Sequence, residues 1–293
     1  MRTENEMMDA ILETAGNNDN VRAVYMNDSR TNPNVPKDIF QDYDIVYVVK
    51  ETSPLIDDKS WLKVFGELLM IQEPDKNDRM AGIQKEPSNS YGYLMLFADG
   101  NRIDLQLQSI EGMLQRYLSD KLTVPLMDKD HILPPIVKPT DIDYHIKKPT
   151  EAQFFSSCNN FWWCQQNVAK GIWRDELPYA KNMFECIIRP HLDEAVSWWI
   201  GIQSNFGVSS GKSGKYFKKY LPDAYWEMYR ATYSDGNYNN FWEAVFTACS
   251  LFHELAREVA ESLEYTYPEQ DDRNMMRYME RVRNLPNDAE GIY

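Results

Sequence analysis

Cysteine is scarce in this chain of 293 residues, which has only four. No two of them form a C-x-x-C pair, and each falls in a segment with a helical pattern. A disulfide framework or a structural zinc site would show closely spaced or paired cysteines. We therefore expect buried free thiols in a reducing compartment. The four residues are Cys158, Cys164, Cys186 and Cys249.

Long apolar runs are also missing. No stretch approaches the roughly 18 apolar residues that a transmembrane helix needs. The N-terminal residues MRTENEMMD carry acids and lack the apolar core of a secretory signal. We expect a cytoplasmic protein that has no membrane partner.

Positive charge is in the minority, because 31 Lys and Arg stand against 45 Asp and Glu, for a net charge of −14. Nucleic-acid-binding domains usually present basic stripes, so we expect no nucleic-acid partner. An acidic protein attracts cationic ligands and raises their local concentration. Only four histidines occur, scattered along the chain and outside any recognisable Ser or Cys nucleophile motif, which argues against histidine catalysis.

The chain does contain a pair of acids at the start of an apolar strand. Residues 40–49, FQDYDIVYVV, are rich in residues that favour a sheet. Strand alternation places Asp42 and Asp44 on one face, with Cα atoms roughly 7 Å apart. A third acid, Asp104, lies on the predicted strand 101–107, which follows an Asp-Gly hairpin turn. Such acids either hold a divalent cation or form a polar edge that faces water.

The pattern predicts an α/β domain over residues 1–145, with a mixed sheet flanked by helices. A Pro-rich segment, 121–143, is expected to end the sheet domain, and residues 73–90 are expected to form a mobile loop. The predicted strands span residues 21–26, 40–49, 67–72, 91–98 and 101–107.

Residues 146–293 are predicted to form an all-α helical bundle. Thr150, with Gln153 three residues later, is a capping-box signal. Apolar residues at helical spacing follow as far as Gly171. The charged tail from about Pro268 is expected either to be frayed or to pack late. Further helices are predicted at residues 176–189, 191–203, 213–220, 223–233 and 238–265.

Phosphoryl or nucleotidyl transfer needs a set of residues that this chain contains. Shared carboxylates hold metal ions beside the reacting phosphate. A short hydroxyl and backbone N–H groups on a turn can hold terminal phosphates. Ser29 and Arg30 lie on a polar loop that leads to the strand of Asp42 and Asp44, and Asp104 follows on another strand.

The pattern Ser29-Arg30, Asp42-x-Asp44 and Asp104 resembles the nucleotidyltransferase superfamily that includes DNA polymerase β. The surrounding words resemble more closely the aminoglycoside 6-adenylyltransferases, which modify streptomycin, and the likeness runs through nearly the whole chain. The matching stretches are MRTE (1–4), MMD (7–9), SRTNPNVPKD (29–38), FQDYDI (40–45), YLMLF (93–97), DGNRIDL (99–105), FWW (161–163), VAKG (168–171) and GKS (211–213).

This resemblance implies an Mg2+-dependent enzyme that moves AMP from ATP to a hydroxyl of a streptomycin-like aminoglycoside and releases pyrophosphate. It implies that Asp42, Asp44 and Asp104 are the metal-binding and catalytic residues, with Asp104 completing the metal site or acting as the base. It also implies that the ATP phosphates meet Ser29, Arg30, Lys212 and Lys215. The expected partners are ATP and a cationic aminoglycoside, and the expected state is a monomer or weak dimer.

Acids of the helical domain are candidates to bind the cationic acceptor, and we single out Asp175, Glu176 and Glu185. The chain departs from the family pattern at Asp28, where Gly is expected, and at Asn160, where Glu is expected. Two alternatives therefore stay open. The same fold could act on a different acceptor, or the chain could bind nucleotide with weak or no turnover because of Asp28.

Overall fold

The structure is a computed structural model that describes residues 1–83 and 89–293. The chain folds into two compact units, Met1–Asp143 and Tyr144–Tyr293. Among the described residues, no helix combines the length and the apolar character that a membrane span requires.

The first unit is built on a six-stranded sheet in the order β3-β4-β5-β2-β1-β6. Strands β2 and β5 are parallel, and the other neighbouring pairs are antiparallel. The predicted mixed sheet is therefore confirmed. The strands are β1 (Val21–Asn27), β2 (Tyr43–Val49), β3 (Leu68–Gln72), β4 (Ser90–Phe97), β5 (Arg102–Ser109) and β6 (Thr123–Asp128). The helices of this unit are α1 (Glu4–Gly16), α2 (Ser53–Asp57), α3 (Pro74–Met80) and α4 (Ile110–Arg116).

Strand β2 lies inside the sheet, and its apolar run is buried on both faces. Tyr47 belongs to the larger core on one side, which also contains Met7 and Ile11 of α1. Val48 belongs to a smaller core on the other side, together with Met113 of α4. Helix α1 begins with a capping box on Thr3, which fixes where the helix starts. Packing on both faces of the sheet fixes the position of β2, and with it the place where the strand begins.

Three predictions for this unit were wrong in detail. Strand β2 begins at Tyr43 rather than at Phe40, because Phe40 is 87% exposed and its backbone N–H binds Asp38 in a local turn. The expected loop 73–90 contains α3, while residues 84–88 of that loop lie outside the described part of the chain. The Pro-rich segment contains β6, an edge strand that tolerates Pro125 at a register shift.

The second unit is helical, as predicted, and its long helices surround one apolar core. Phe161 and Phe252 stack at 3.7 Å in that core. The helices are α5 (Glu151–Trp173), α6 (Leu177–Asn182), α7 (Arg189–Gln203), α8 (Phe217–Tyr220), α9 (Asp223–Ala231), α10 (Tyr238–Leu263) and α11 (Glu269–Arg283), with a π-helical turn at Met183–Ile188.

Of the two alternatives expected for the tail, fraying was wrong, because the segment forms a packed helix. Helix α11 packs on α5 and buries Met279 and Val282. Its Asp272 is also buried, bonded to His253 Nδ1 at 2.5 Å and to the Tyr267 hydroxyl at 2.8 Å. The sparse apolar residues of this segment recur at helical spacing, and one such face is enough to dock a charged helix.

Candidate functional site

Three carboxylates converge at the N-terminal ends of the central strands β2 and β5 in the first unit. Asp44 and Asp104 are direct partners on the parallel strands β2 and β5, so their side chains share one face. Asp42 comes just before β2. One oxygen from each of the three side chains lies within 4.8 Å of the other two. The structure therefore brings together the three acids that the sequence singled out.

Crowding of negative charge changes the behaviour of the central acid. Burial of Asp44, together with the charges of Asp42, Asp28 and Asp104, raises the pKa of Asp44 to about 8. With no metal ion bound, Asp44 would therefore hold a proton at neutral pH. Arg102 acts in the opposite direction and favours the ionised form of Asp44.

Arg102 supplies a cation to this cluster from the same strand as Asp104. Its Nε and terminal nitrogen reach the two oxygens of Asp104 at 2.8 and 2.5 Å. A second terminal nitrogen lies 3.5 Å from Asp42 Oδ2. Such a two-pronged guanidinium–carboxylate pair has a well-defined geometry. The sequence signal for this pair was the two-residue spacing, which puts both side chains on one face of β5.

The donor set fits a hard divalent cation. All three groups offer carboxylate oxygens, and Mg2+ is commonly bound by one or two carboxylates together with substrate phosphates. The Asp104 oxygens have spare lone pairs beyond those that accept from Arg102. The residues present could therefore hold the metal that the sequence predicts.

A tight turn follows β1 and lies next to the three acids. Residues Asp28–Thr31 form one turn of 3-10 helix directly after β1, whose last residue, Asn27, pairs with Asp44. The turn therefore begins next to the acidic cluster and carries Ser29. Asp28 adopts a φ of 63°, in the left-handed region that favours glycine.

Arg30 points from this turn back into the protein. Its side chain is only 10% exposed. Its guanidinium donates to the backbone oxygens of Asp42 at 2.9 Å and Gln41 at 2.8 Å. It also lies over the Tyr43 ring at 3.7 Å, and one nitrogen is 3.6 Å from Glu4. These contacts were invisible at the sequence level, where Arg30 was expected to face phosphate.

Lys212 and Lys215 belong to the second unit. Lys212 is the first residue of a short 3-10 turn, Lys212–Gly214, and Lys215 directly follows it. Gly211 and Gly214 have φ values of 74° and 73°. A Cβ on Gly211 would lie 2.5 Å from the Lys215 side chain, so only glycine fits there. Both lysines are exposed. Their predicted contact with ATP stays a prediction.

The three candidate acceptor-binding acids differ in their surroundings. Asp175 and Glu176 are exposed neighbours between α5 and α6, and Asp175 accepts a bond from the Tyr238 hydroxyl at 2.9 Å. Glu185 lies in the π-helical turn, where the Arg189 guanidinium binds both of its oxygens. Its charge is therefore already balanced. Asn160 is exposed on α5.

Comparison with known proteins gives a consistent assignment. The sequence profile of the Streptomycin adenylyltransferase family matches residues 1–282. The chain is 39% identical to an aminoglycoside 6-adenylyltransferase of Campylobacter jejuni, with 93% of each chain covered. It is 38% identical to the enzyme of that name from Bacillus subtilis (strain 168), covering 96% of this chain and 98% of the relative.

A third relative, the aminoglycoside 6-adenylyltransferase of Staphylococcus aureus, is 37% identical, over 92% of this chain and 94% of its own. Among solved structures, the chain is similar to the crystal structure of an aminoglycoside 6-adenyltransferase from Bacillus subtilis. That comparison has 34% sequence identity, covers 97% of this chain and 100% of the other, and gives a TM-score of 0.48.

Proposed function

Since the chain belongs to the streptomycin adenylyltransferase family, we propose that it transfers AMP from ATP to a hydroxyl of a streptomycin-like aminoglycoside and releases pyrophosphate. The observation that carries this proposal is that Asp42, Asp44 and Asp104 meet at the N-terminal ends of β2 and β5. The relatives named above are aminoglycoside 6-adenylyltransferases, which is why we choose this class of acceptor.

Asp42, Asp44 and Asp104 are the residues that would hold Mg2+. When bound, a divalent cation there would offset the charge of the phosphate oxygens and help to orient them. With a cation bound, Asp44 would be ionised despite its raised pKa, because the added positive charge favours the carboxylate.

The proposed reaction is an in-line displacement at the α-phosphorus of ATP. The acceptor oxygen forms a new bond to that phosphorus while the bond to the bridging oxygen of the β-phosphate breaks. The electron pair of the broken bond leaves with pyrophosphate. The proton of the attacking hydroxyl passes to a carboxylate, for which Asp104 is our candidate. A base in this role has to lie within hydrogen-bond reach of the hydroxyl.

Our candidate for phosphate binding is the turn of Ser29, and the family resemblance implies the same role for Lys212 and Lys215. The Ser29 hydroxyl and the N–H groups of its turn are suitable neutral donors. The two lysines are compact charges on flexible stems, which suits contact with a mobile triphosphate. The assignment of the lysines is supported by the family resemblance and by their exposure.

The acceptor is cationic, so acids are its expected ligands. Asp175 and Glu176 are the better candidates, since both are exposed. Glu185 is a weaker one, because its two oxygens are already bonded to Arg189. A cationic group of the acceptor would have to compete with that guanidinium.

The direct test is incubation of the protein with Mg2+, ATP and streptomycin, followed by mass spectrometry of the drug and assay of pyrophosphate. We expect adenylylated streptomycin. The D44N variant should transfer at least about 100-fold more slowly, because the site would hold less firmly the cation that would stabilise the charge developing on the phosphate.

The matched control is D9N, which makes the same change in charge at an exposed position of α1. It should leave the rate unchanged. Normal transfer by D44N would disprove the assignment of the acidic cluster. Binding of ATP without any modified drug would remove streptomycin as the acceptor, and a panel of other aminoglycosides with labelled ATP would then find the acceptor.

A further inference from the structure

The Arg30 side chain forms a junction between segments of the first unit. It starts from the turn of Asp28–Thr31, which carries Ser29. Its guanidinium ends on the backbone oxygens of Gln41 and Asp42, immediately before β2. A single cation therefore connects the turn assigned to phosphate with the residues that lead into the metal-binding strand.

The packing around this guanidinium leaves little of it for a ligand. Two of its nitrogens donate to backbone oxygens, and a third faces Glu4 at 3.6 Å. One face of its plane lies on the Tyr43 ring at 3.7 Å. Only 10% of the side chain is exposed. A residue that binds a triphosphate needs free donors directed at solvent, as those of a flexible lysine are.

We propose that Arg30 is a positioning residue that fixes the backbone at Asp42 relative to the Ser29 turn, and that it does not bind the triphosphate. This inference rests on the proposed function, because it concerns the placement of a carboxylate in the proposed metal site. It replaces the phosphate contact that the family resemblance implied for Arg30.

The location of Asp42 explains why the bonds from Arg30 should matter for catalysis. Asp42 precedes β2 and therefore lacks the strand pairing that orients Asp44 against Asp104. The bonds from Arg30 constrain the backbone where that pairing does not yet act. Because a displacement of about 1 Å at a reacting centre can cost on the order of 100-fold in rate, loss of these bonds should be felt in turnover.

The test compares R30Q and R30K with the wild-type protein in two binding assays and one kinetic assay. ATP affinity is measured by calorimetry in EDTA, without metal. Mn2+ affinity is measured in the presence of ATP by electron paramagnetic resonance. The kcat for adenylylation is measured alongside. A positioning role predicts unchanged ATP affinity in EDTA, weaker Mn2+ binding and a kcat about 10- to 100-fold lower in both variants.

R30K distinguishes the two roles. Lysine keeps the charge but cannot present a planar fork to two backbone oxygens while it stacks on Tyr43. If Arg30 binds phosphate, R30K should retain much of the ATP affinity in EDTA that R30Q loses. If Arg30 positions Asp42, both variants should lose Mn2+ affinity and kcat to a similar degree. Loss of ATP affinity in EDTA by R30Q, with Mn2+ affinity unchanged, would overturn the proposal.

Two controls complete the design. Lys37 also contacts Glu4, at 3.2 Å, but has no described bond to Gln41 or Asp42, so K37Q should behave as the wild type in all three assays. S29A should weaken ATP binding in EDTA, which shows that the assay detects loss of a phosphate contact. Circular dichroism confirms that the variants fold. If the wild type binds no Mn2+ with ATP, the proposed site fails and takes this inference with it, whereas a failure confined to the Arg30 variants overturns the inference alone.

Discussion

Asp28 is an acid in a backbone conformation that suits glycine. Its φ of 63° lies in the left-handed region, which costs other residues energy. Its charge also contributes to the raised pKa of Asp44. The family resemblance implies glycine at this position. The same residue therefore adds both backbone strain and negative charge at the place where ATP phosphates are proposed to bind.

We predict that D28G raises kcat/KM for ATP by about 2- to 10-fold. One like charge near the phosphates weakens their binding by on the order of 1 kcal/mol when solvent partly screens it. The measurement is steady-state kinetics with ATP varied at saturating acceptor.

Glu264 supplies the matched control for this change. It also has a positive φ, of 60°, and it lies at the end of α10 in the second unit. E264G removes an acid and relieves the same kind of strain, and it should leave kcat/KM for ATP unchanged. An unchanged D28G would show that Asp28 does not impair the site, whereas a gain of several orders of magnitude would mean that the natural chain is a nearly inactive nucleotide-binding protein.

At this scale, sequence reasoning found the three acids that meet in the candidate site but not the contacts that support them. Asp42, Asp44 and Asp104 follow from strand alternation and from a recognisable motif, since both are local properties of the chain. The direction of Arg30 depends on backbone oxygens eleven and twelve residues away. A sequence pattern names residue types at intervals and says nothing of which way a long side chain turns.

Helices α7 and α9 are joined by Asp193, a partly buried acid of α7. The Tyr229 hydroxyl donates to Asp193 at 2.8 Å. Burial raises the pKa of Asp193 to about 6, although the bond from Tyr229 and the charge of Arg189 act against it. Between about pH 4 and pH 6, the folded state therefore holds a proton that the unfolded state has lost.

It follows that Asp193 stabilises the fold least at neutral pH. As pH rises through this window, its contribution to the free energy of unfolding falls by about 2 to 3 kcal/mol and then stays constant. We predict that D193N, which keeps an oxygen for Tyr229, becomes more stable relative to the wild type as pH rises from 4 to 6.

Urea unfolding followed by tryptophan fluorescence can measure this, since every tryptophan except Trp61 lies in the second unit. An exposed acid of α10 serves as the control, and E254Q should track the wild type across the window. A constant difference between D193N and the wild type at every pH would contradict the assignment.

Elements were predicted well where one local pattern dominated. The capping box and apolar face of α5 and the hairpin before β5 are such cases. Strand β6 and helix α11 were missed because tertiary contacts outweigh their local signals. Pro125 argues against a strand, yet an edge strand can hold it. The charged α11 becomes stable by burying only a few residues, such as Met279 and Val282, against the core.

The whole molecule carries a net charge of −14, opposite in sign to the proposed acceptor and equal in sign to ATP. Such a field increases the encounter rate of a cation and lowers that of an anion, and salt screens both effects. We predict that raising the ionic strength from about 0.02 to 0.3 M lowers kcat/KM for streptomycin several-fold. The kcat/KM for ATP should rise or stay constant.

The two substrates serve as controls for each other, because general inhibition by salt would lower both values together. Such a parallel loss would contradict steering by the overall charge. The experiment needs a constant concentration of free Mg2+ so that the ATP complex is equally populated at each salt concentration.

Arg102 also affects which ions can enter the acidic cluster. A sodium or potassium ion carries no more charge than the guanidinium with which it would compete for Asp104. A divalent ion carries twice that charge and gains more from the same oxygens. Because Arg102 already supplies one positive charge to Asp104, we expect this cluster to bind a divalent ion more strongly than a sodium or potassium ion.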